Sequence, residues 1–537
     1  MNFNPSDLYG ILPALILSVG ALVVLMSEVF LRAVQPERLG VAGGAAGAAH
    51  AQLMPGSDSK PLPPAPSPDR RYQAWLAAAF AFAALWAAVA QFGDPNVPLF
   101  AGAAVSDGFA RVVAAVACGS LLLSCLVAFS YLEALRATRG EFYALAMFSA
   151  AGMCLIAQAT DLIVIFLSLE VLSLSLYALC AYLRRGKRPA EAAFKYFILG
   201  SFASAIFLYG AALAYGATGS TRLADVANAV KLLAQHQSMP GVAPLLLASV
   251  GLLIAGFAFK VAAVPFHMWV PDVYDGAPAP VTGFMAAGVK AAAFATLVRI
   301  LISGFGDASA ATGDRGWRAL IIGLAVLTMV VGNLLAVPQR SVKRMLAYSS
   351  IAHAGYLLVA VASMASWQSR ADGTSGLLFY LASYGATIVG AFGVVAIIER
   401  KLAQSGLPDD LSSWAGLSEK HPALAAAMSL FMISLAGVPP TAGFMGKVVV
   451  FRSAIEGGLA PLAILGVLTS VAGLYYYLRV VVYVYMYPQP KGEAVQAGRL
   501  FSAGLAIAGC ALIVLWMGIQ PGAFGAITQA AAASFGK

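Results

Sequence analysis

Four lysines fall inside apolar runs long enough to cross a bilayer: Lys195, Lys260, Lys290 and Lys447. A charge at the centre of a membrane costs about 2.5–3.5 kcal/mol on insertion scales. Such a residue must face protein or water, and it is expected to do something there. Lysine is the informative choice. Arginine stays charged in practically any protein environment, whereas an ammonium taken out of water gives up its proton far more readily. A nearby carboxylate opposes that release. A Lys–Glu pair of variable separation is therefore a proton gate, holding the proton when close and releasing it when apart.

The candidate carboxylate is Glu170, the only acid in the middle of an apolar run, in FLSLEVLSLS over residues 166–175. Ser168, Ser173 and Ser175 flank it and offer hydroxyls to water. Prolines stand close to two of the lysines. Pro265 follows Lys260, and Pro439 and Pro440 precede Lys447. A proline inside a helix removes an N–H and leaves the carbonyl four residues back without its partner. The expected free carbonyls are those of Val261, Leu435 and Ala436. In lipid these are tolerated only against protein or water, so hydrated pockets at mid-depth are expected. His353, in YSSIAHAGY over 348–356, titrates near neutrality in water and is a further proton carrier or a structural histidine. His267 sits at a helix end and reads as interfacial. The alternative for the lysines is a fixed ion pair ordering two helices, but four lysines face one mid-span acid.

The elements that must position these groups follow from hydropathy. Of 537 residues 60% are hydrophobic and 11% are charged. A soluble domain carries about 25% charged residues, so lipid must cover this chain. A spanning helix needs roughly 20 apolar residues. Fourteen such runs occur, from 9–31 to 500–520, and the twelfth, 423–455, is too long for one span and carries the Gly437–Pro440 break. The seventh, 243–270, carries Lys260 and Pro265. The expected fold is an all-α polytopic membrane protein of about fourteen helices with helices 7 and 12 discontinuous. The net charge of +9 is not a nucleic-acid signature, because the basic residues lie in loops. Loops holding Arg136, Arg139, Arg184, Arg185, Arg340, Lys343 and Arg344 fall on one side, which the positive-inside bias makes the inner one. Both termini are then periplasmic, in a bacterial inner membrane. Arg111, Arg299, Arg452 and Arg479 lie toward helix ends and are expected to reach the interface.

Residues 35–71, with PLPPAPSP over 61–68, read as a Pro/Ala/Gly-rich linker, and residues from Leu223 to Gln237 as an amphipathic surface helix. The five cysteines, Cys118, Cys125, Cys154, Cys180 and Cys510, form no CxxC pair and read as small core residues. No metal site and no nucleotide-binding glycine fingerprint is visible.

Three segments resemble antiporter-like membrane subunits, found in respiratory complex I, Mrp-type cation antiporters and membrane-bound hydrogenases. They are FKVAAVPFHMWVPDVYDGAPAPVT at 259–282, RMLAYSSIAH at 344–353 and LAGVPPTAGFMGK at 435–447. AFKYFILGSFA at 193–203, lysine at 447 and a short tail after helix 14 resemble the N-type subunits of NADH-quinone oxidoreductase (complex I). The 35–71 linker departs from that pattern. The resemblance implies three N-terminal helices (1–140), two five-helix repeats of inverted topology (141–302 and 303–487) and a C-terminal helix (488–537). It implies that Glu170 pairs with Lys260, that Lys195 lies along the path, that Lys290 and His353 relay toward the centre, and that Lys447 leads to the exit or the next subunit. The activity implied is proton translocation coupled to electron transfer from NADH to quinone. No cofactor is expected in this chain. FMN, iron–sulfur clusters and quinone would belong to partners, which are the other membrane subunits including antiporter-like paralogues.

Rival functions are a Na⁺/H⁺ antiporter subunit, which should show mid-membrane carboxylates or clustered carbonyl and hydroxyl ligands, a hydrogenase-type subunit, and a scaffold. If the linker is only a linker, deleting residues 57–68 leaves NADH oxidation in membranes largely intact. Loss of the assembled complex on a native gel would show that the segment packs against something.

Overall fold

The computed structural model describes residues 5–34, 71–135, 137–183, 187–235, 242–306, 316–405, 410–488 and 501–535. The linker read at 35–71 lies outside the described residues except for Arg71, as do loop residues Arg136, Arg184 and Arg185. Among the described residues thirteen helices are long and apolar enough to cross a membrane, from Leu12–Phe30 to Phe501–Ile519. The twelfth apolar run is not one of them. It is two half-helices, Pro422–Ala436 and Ala442–Glu456, which together complete the expected fourteen. A further helix at Pro521–Ser534 was not legible, because its small residues give no apolar run long enough to span.

Burial separates helices that face lipid from those that carry the interior. The helices Val342–Ser363, Arg370–Glu399 and Ala279–Gly304 are almost wholly buried along their spans. They form the centre, and Lys290 and His353 sit on two of them. Outer helices expose broad apolar faces, such as Phe202, Tyr209, Leu468 and Val471. A bilayer replaces water against such surfaces.

The two breaks differ in construction. Helix Val242–Val261 stops because Ala262 turns left-handed at φ 65°, unusual for a residue with a Cβ. Pro265 therefore lies in the break and not within a helical turn, four residues beyond the helix end. The exposed backbone there finds substitutes. Trp269 Nε1 donates to Phe259 O at 3.1 Å, and Val264 N donates to Thr328 Oγ1 at 2.9 Å. A short helix, Val270–Gly276, then leads to the Lys290 helix. The second break is capped by Gly437 at φ 83°, whose N–H bonds Ile433 O and Ser434 O. A Cβ on Gly437 would also come within 3.0 Å of Lys447 Nζ, so this glycine is required twice over.

Two expectations for basic residues are corrected. Arg299 is buried, in a two-pronged ion pair with Asp107 at 2.9 and 3.0 Å. Arg111 is buried too. It bonds the carbonyls of Pro95 and Ser106 at 2.8 and 3.1 Å, and so holds a small hairpin in which Val97–Leu99 pairs antiparallel with Ala104–Ser106. Guanidinium groups beside unpaired carbonyls or an acid find better partners inward than at the interface. Arg479 is only half-buried and bonds Val337 O at 3.0 Å, just past the end of helix Trp317–Ala336, in keeping with a helix-end place. Arg452 is exposed beside Glu456, as a helix-end arginine should be. The surface helix at Leu223–Gln235 buries Leu223, Val226 and Val230, an i, i+3, i+7 stripe.

The His353 helix is pressed against Trp317–Ala336 through glycines. A Cβ on Gly332 would meet Ala352 N at 2.6 Å, and one on Gly355 would meet Met329 N at 2.6 Å. Small residues let helix backbones approach this closely in a membrane. Gly355→Leu should thus destabilise the packing by about 1–3 kcal/mol. Thermal unfolding of the solubilised protein checks this, and an unchanged midpoint would show that the two helices are not locked.

Candidate proton-relay site

Lys260 is in the last turn of its helix, just before the break, and is buried. Its Nζ donates to Ser173 Oγ at 2.8 Å. The rings of Tyr177, Tyr196 and Phe259 surround the ammonium at 5.5, 5.2 and 5.7 Å, a spacing at which aromatic faces attract a cation. Tyr196 OH is buried and meets no hydrogen-bond partner among the described residues.

Glu170 is on the same helix as Ser173, one turn earlier, and accepts from Ser204 Oγ at 2.6 Å. No ion pair joins Glu170 to Lys260 among the described residues. The acid is held by Ser204 and the amine by Ser173, on two different helices. Glu170, Ser173 and Tyr177 form one i, i+3, i+7 face, which places the acid a short step from the amine.

Lys195 stands apart. It lies near the start of helix Lys187–Thr218, and its side chain is 38% exposed. It pairs with Glu191 and with Asp272, each at 2.7 Å, and Arg344 pairs with the other oxygen of Asp272 at 2.9 Å. The structure thus binds Lys195 to acids at the end of the helix and not to the other three lysines. The length of the apolar run hid this: helix Lys187–Thr218 has 32 residues, more than the roughly 20 that a span needs.

Lys290 is buried and follows a π-helical stretch, Met285–Val289. Such widened turns recur at functional sites. Its Nζ donates to Ser350 Oγ at 2.7 Å and also to Ser350 O. Tyr384 places its ring 5.1 Å from the amine. Ser350 is one turn from His353 on the same helix. Both imidazole nitrogens of His353 are engaged, Nδ1 with Tyr380 OH at 2.7 Å and Nε2 with Tyr477 OH at 3.1 Å. Ser349 Oγ meets Tyr477 OH at 2.5 Å. One turn further, Tyr356 packs edge-on to His353, with ring centres 5.6 Å apart, and presents its face to Lys447 Nζ at 5.4 Å.

Lys447 closes the line. Its Nζ donates to Leu435 O and Ala436 O, both at 2.8 Å, and to Ser470 Oγ at 2.7 Å. Those two carbonyls end the first half-helix, where the partial negative charge of the helix gathers. They are the carbonyls that Pro439 and Pro440 cannot serve as donors. His267 lies inside the first break, partly buried.

The structure therefore brings Lys290 from one side and Lys447 from the other to the helix that carries Ser350, His353 and Tyr356, and it places Lys260 on Ser173, one turn from Glu170. Sequence reasoning singled out Ser173 but missed Ser350, Ser470 and the tyrosines around the amines, although Tyr380 and Tyr384 at i, i+4 carry hydroxyls into an otherwise apolar run. It also missed the burial of Lys343, which it had placed in a loop and whose Nζ pairs with the partly exposed Glu399 Oε1 at 3.1 Å. Among the described residues no three His, Cys, Asp or Glu side chains gather as a metal site needs.

Known proteins share this architecture. Residues 159–473 match the family described as NADH:quinone oxidoreductase/Mrp antiporter, TM. A NADH-quinone oxidoreductase subunit N from Myxococcus xanthus (strain DK1622) is 44% identical over 559 residues, covering 100% of this chain and 99% of that one. The subunit N of Trichlorobacter lovleyi is 46% identical over 426 residues, 79% of this chain and 83% of the other. A chain of respiratory complex I from Thermus thermophilus, solved with bound aureothin, superposes with a TM-score of 0.72 at 33% identity over 95% of this chain and 97% of that one. A chain of the Mrp complex from Dietzia sp. DQ12-45-1b shares the fold, with a TM-score of 0.76 at 20% identity, over 98% and 97% of the two chains. A relative at this identity over the full length, with the fold and a matching family over most of the span, settles membership: the chain belongs to the NADH-quinone oxidoreductase subunit N family of antiporter-like membrane subunits.

Proposed function

We propose that this chain carries protons across the membrane within a NADH-quinone oxidoreductase, and that Lys260, Lys290, His353 and Lys447, with Glu170 as the modulating acid, are the carriers. The observation that carries this reading is the run of contacts from Lys290 through the Tyr384 ring, His353 and Tyr356 to Lys447 in a buried, otherwise apolar core. Each amine there has a soft partner, a hydroxyl, a carbonyl or a ring face, and none is held in an ion pair among the described residues. Such partners stabilise an ammonium without locking its charge. A proton can then leave when the surroundings shift and return when they shift back.

In this reading Glu170 acts on Lys260 by its distance. With the acid on Ser204 and the amine on Ser173 the two are apart, which favours release. If Glu170 turns along its helix face toward Ser173, the pair closes and the amine holds its proton. No protein hydrogen bond spans the step between Lys260 and Lys290 among the described residues, and in this reading water takes it. Lys195 fits a supporting place, binding Asp272 on the short helix that follows the break.

The two five-helix units, 141–302 and 303–487, supply one lysine-bearing break each, and inverted topology would make them half-channels opening to opposite faces. The Arg/Lys-rich loops would face the cytoplasm, with both termini periplasmic. Electron transfer, FMN, iron–sulfur clusters and quinone would reside in partner subunits, and neighbouring membrane subunits would cover the lateral faces.

The test is Lys260→Ala in the assembled complex, in sealed membrane vesicles. Protons pumped per NADH oxidised should fall sharply or vanish. An unchanged ratio would defeat the relay.

A further inference from the structure

Lys343 is the most deeply buried cation outside the relay, with a side chain 2% exposed, and the relay as described does not use it. It opens the His353 helix, two residues after its Ser341 cap. Its Nζ donates to Glu399 Oε1 at 3.1 Å and to Ala277 O at 2.9 Å. The second oxygen of Glu399 accepts from Tyr131 OH at 3.3 Å. Glu399 itself is 29% exposed. The pair thus runs from the surface on the Arg/Lys-rich side to the interior, with the acid outermost.

Its placement along the helix is the second observation. Lys343 and Ser350 are seven residues apart, which puts them on one face about 10.5 Å from each other. Ser350 holds Lys290. Leu346 and Ala347, on the turn between them, are buried. A route from the surface to Lys290 along this face would pass Glu399, then Lys343, then Ser350. The residue types suit such a route. Glu399 is a carboxylate able to take a proton from water, and Lys343 is an amine able to pass one inward, where an arginine could not.

We infer that Glu399 and Lys343, flanked by Tyr131, form the port through which protons from the Arg/Lys-rich side reach Lys290. The inference rests on the relay reading. Charged neighbours at that end are already committed: Arg344 and Lys195 to Asp272, and Arg71 to Glu133. A purely structural role, docking the start of the His353 helix on the end of the helix carrying Glu399, is the competing account.

The experiment compares Glu399→Gln and Lys343→Gln with the native complex in sealed membrane vesicles, reading assembly on native gels and protons pumped per NADH oxidised. A port predicts normal assembly with a several-fold loss in that ratio, and recovery of much of it in Glu399→Asp. A docking role predicts that assembly and NADH oxidation fall together while the ratio holds, which overturns the inference. Failure of both glutamine variants to assemble overturns it as well. Lys260→Ala, run alongside, separates the two levels. If it abolishes pumping while the glutamine variants leave the ratio unchanged, only the port is lost. If all three leave it unchanged, the relay reading falls too.

Discussion

An ammonium inside a hydrocarbon layer must be solvated by the protein that carries it, and this structure is arranged around that demand. Lys447 shows the solution most plainly. A helix is interrupted by Gly437 and two prolines, its last carbonyls are left without N–H partners, and the amine donates to two of them. The break that would be a defect in lipid becomes the solvent for the charge, and the charge in turn satisfies the break. Neither feature would be stable without the other. Lys260 uses different means, one hydroxyl and three aromatic faces, beside a break whose own backbone is satisfied by Trp269 and Thr328.

The remaining architecture protects these two solutions. Helices that carry Lys290 and His353 are buried on every side, so their polar groups meet only protein or enclosed water. Glycines at 332 and 355 draw one lipid-facing helix tightly against the His353 helix. Fully committed charges are kept at the ends. Arg299 with Asp107, and Lys195 and Arg344 with Asp272, are ion pairs that hold segments in place. These three pairings fix geometry at the ends, and neutral partners leave the middle free to titrate.

Much of this was legible in the sequence. Hydropathy alone located the spans, and the Gly437–Pro440 run marked the twelfth helix as divided. Lys260, Lys290 and Lys447 were conspicuous because their types contradict their surroundings. Lys195 satisfied the same criterion, yet proved to lie beside surface acids, because an apolar run records composition and not depth. Lys343 failed the criterion for the converse reason. It stands next to Arg344 and Arg340 in a basic stretch that reads as loop, and only tertiary packing of Ala277 and Glu399 around it makes it internal. The helix end at Ala262 could not be foreseen, since nothing in alanine announces a left-handed turn. The hydroxyls linking the amines were invisible for a similar reason: a serine or tyrosine in a membrane helix becomes part of a path only through what faces it.

The central claim is that these amines lose and regain protons, not merely that they are positive. Lys290→Arg separates the two, since arginine keeps the charge and donors for Ser350 but does not give up its proton. With assembly verified, proton translocation by the Lys290→Arg complex, measured per electron passed, should collapse. Native yield from that complex would mean a fixed charge suffices at the centre of the membrane, and it would contradict the account.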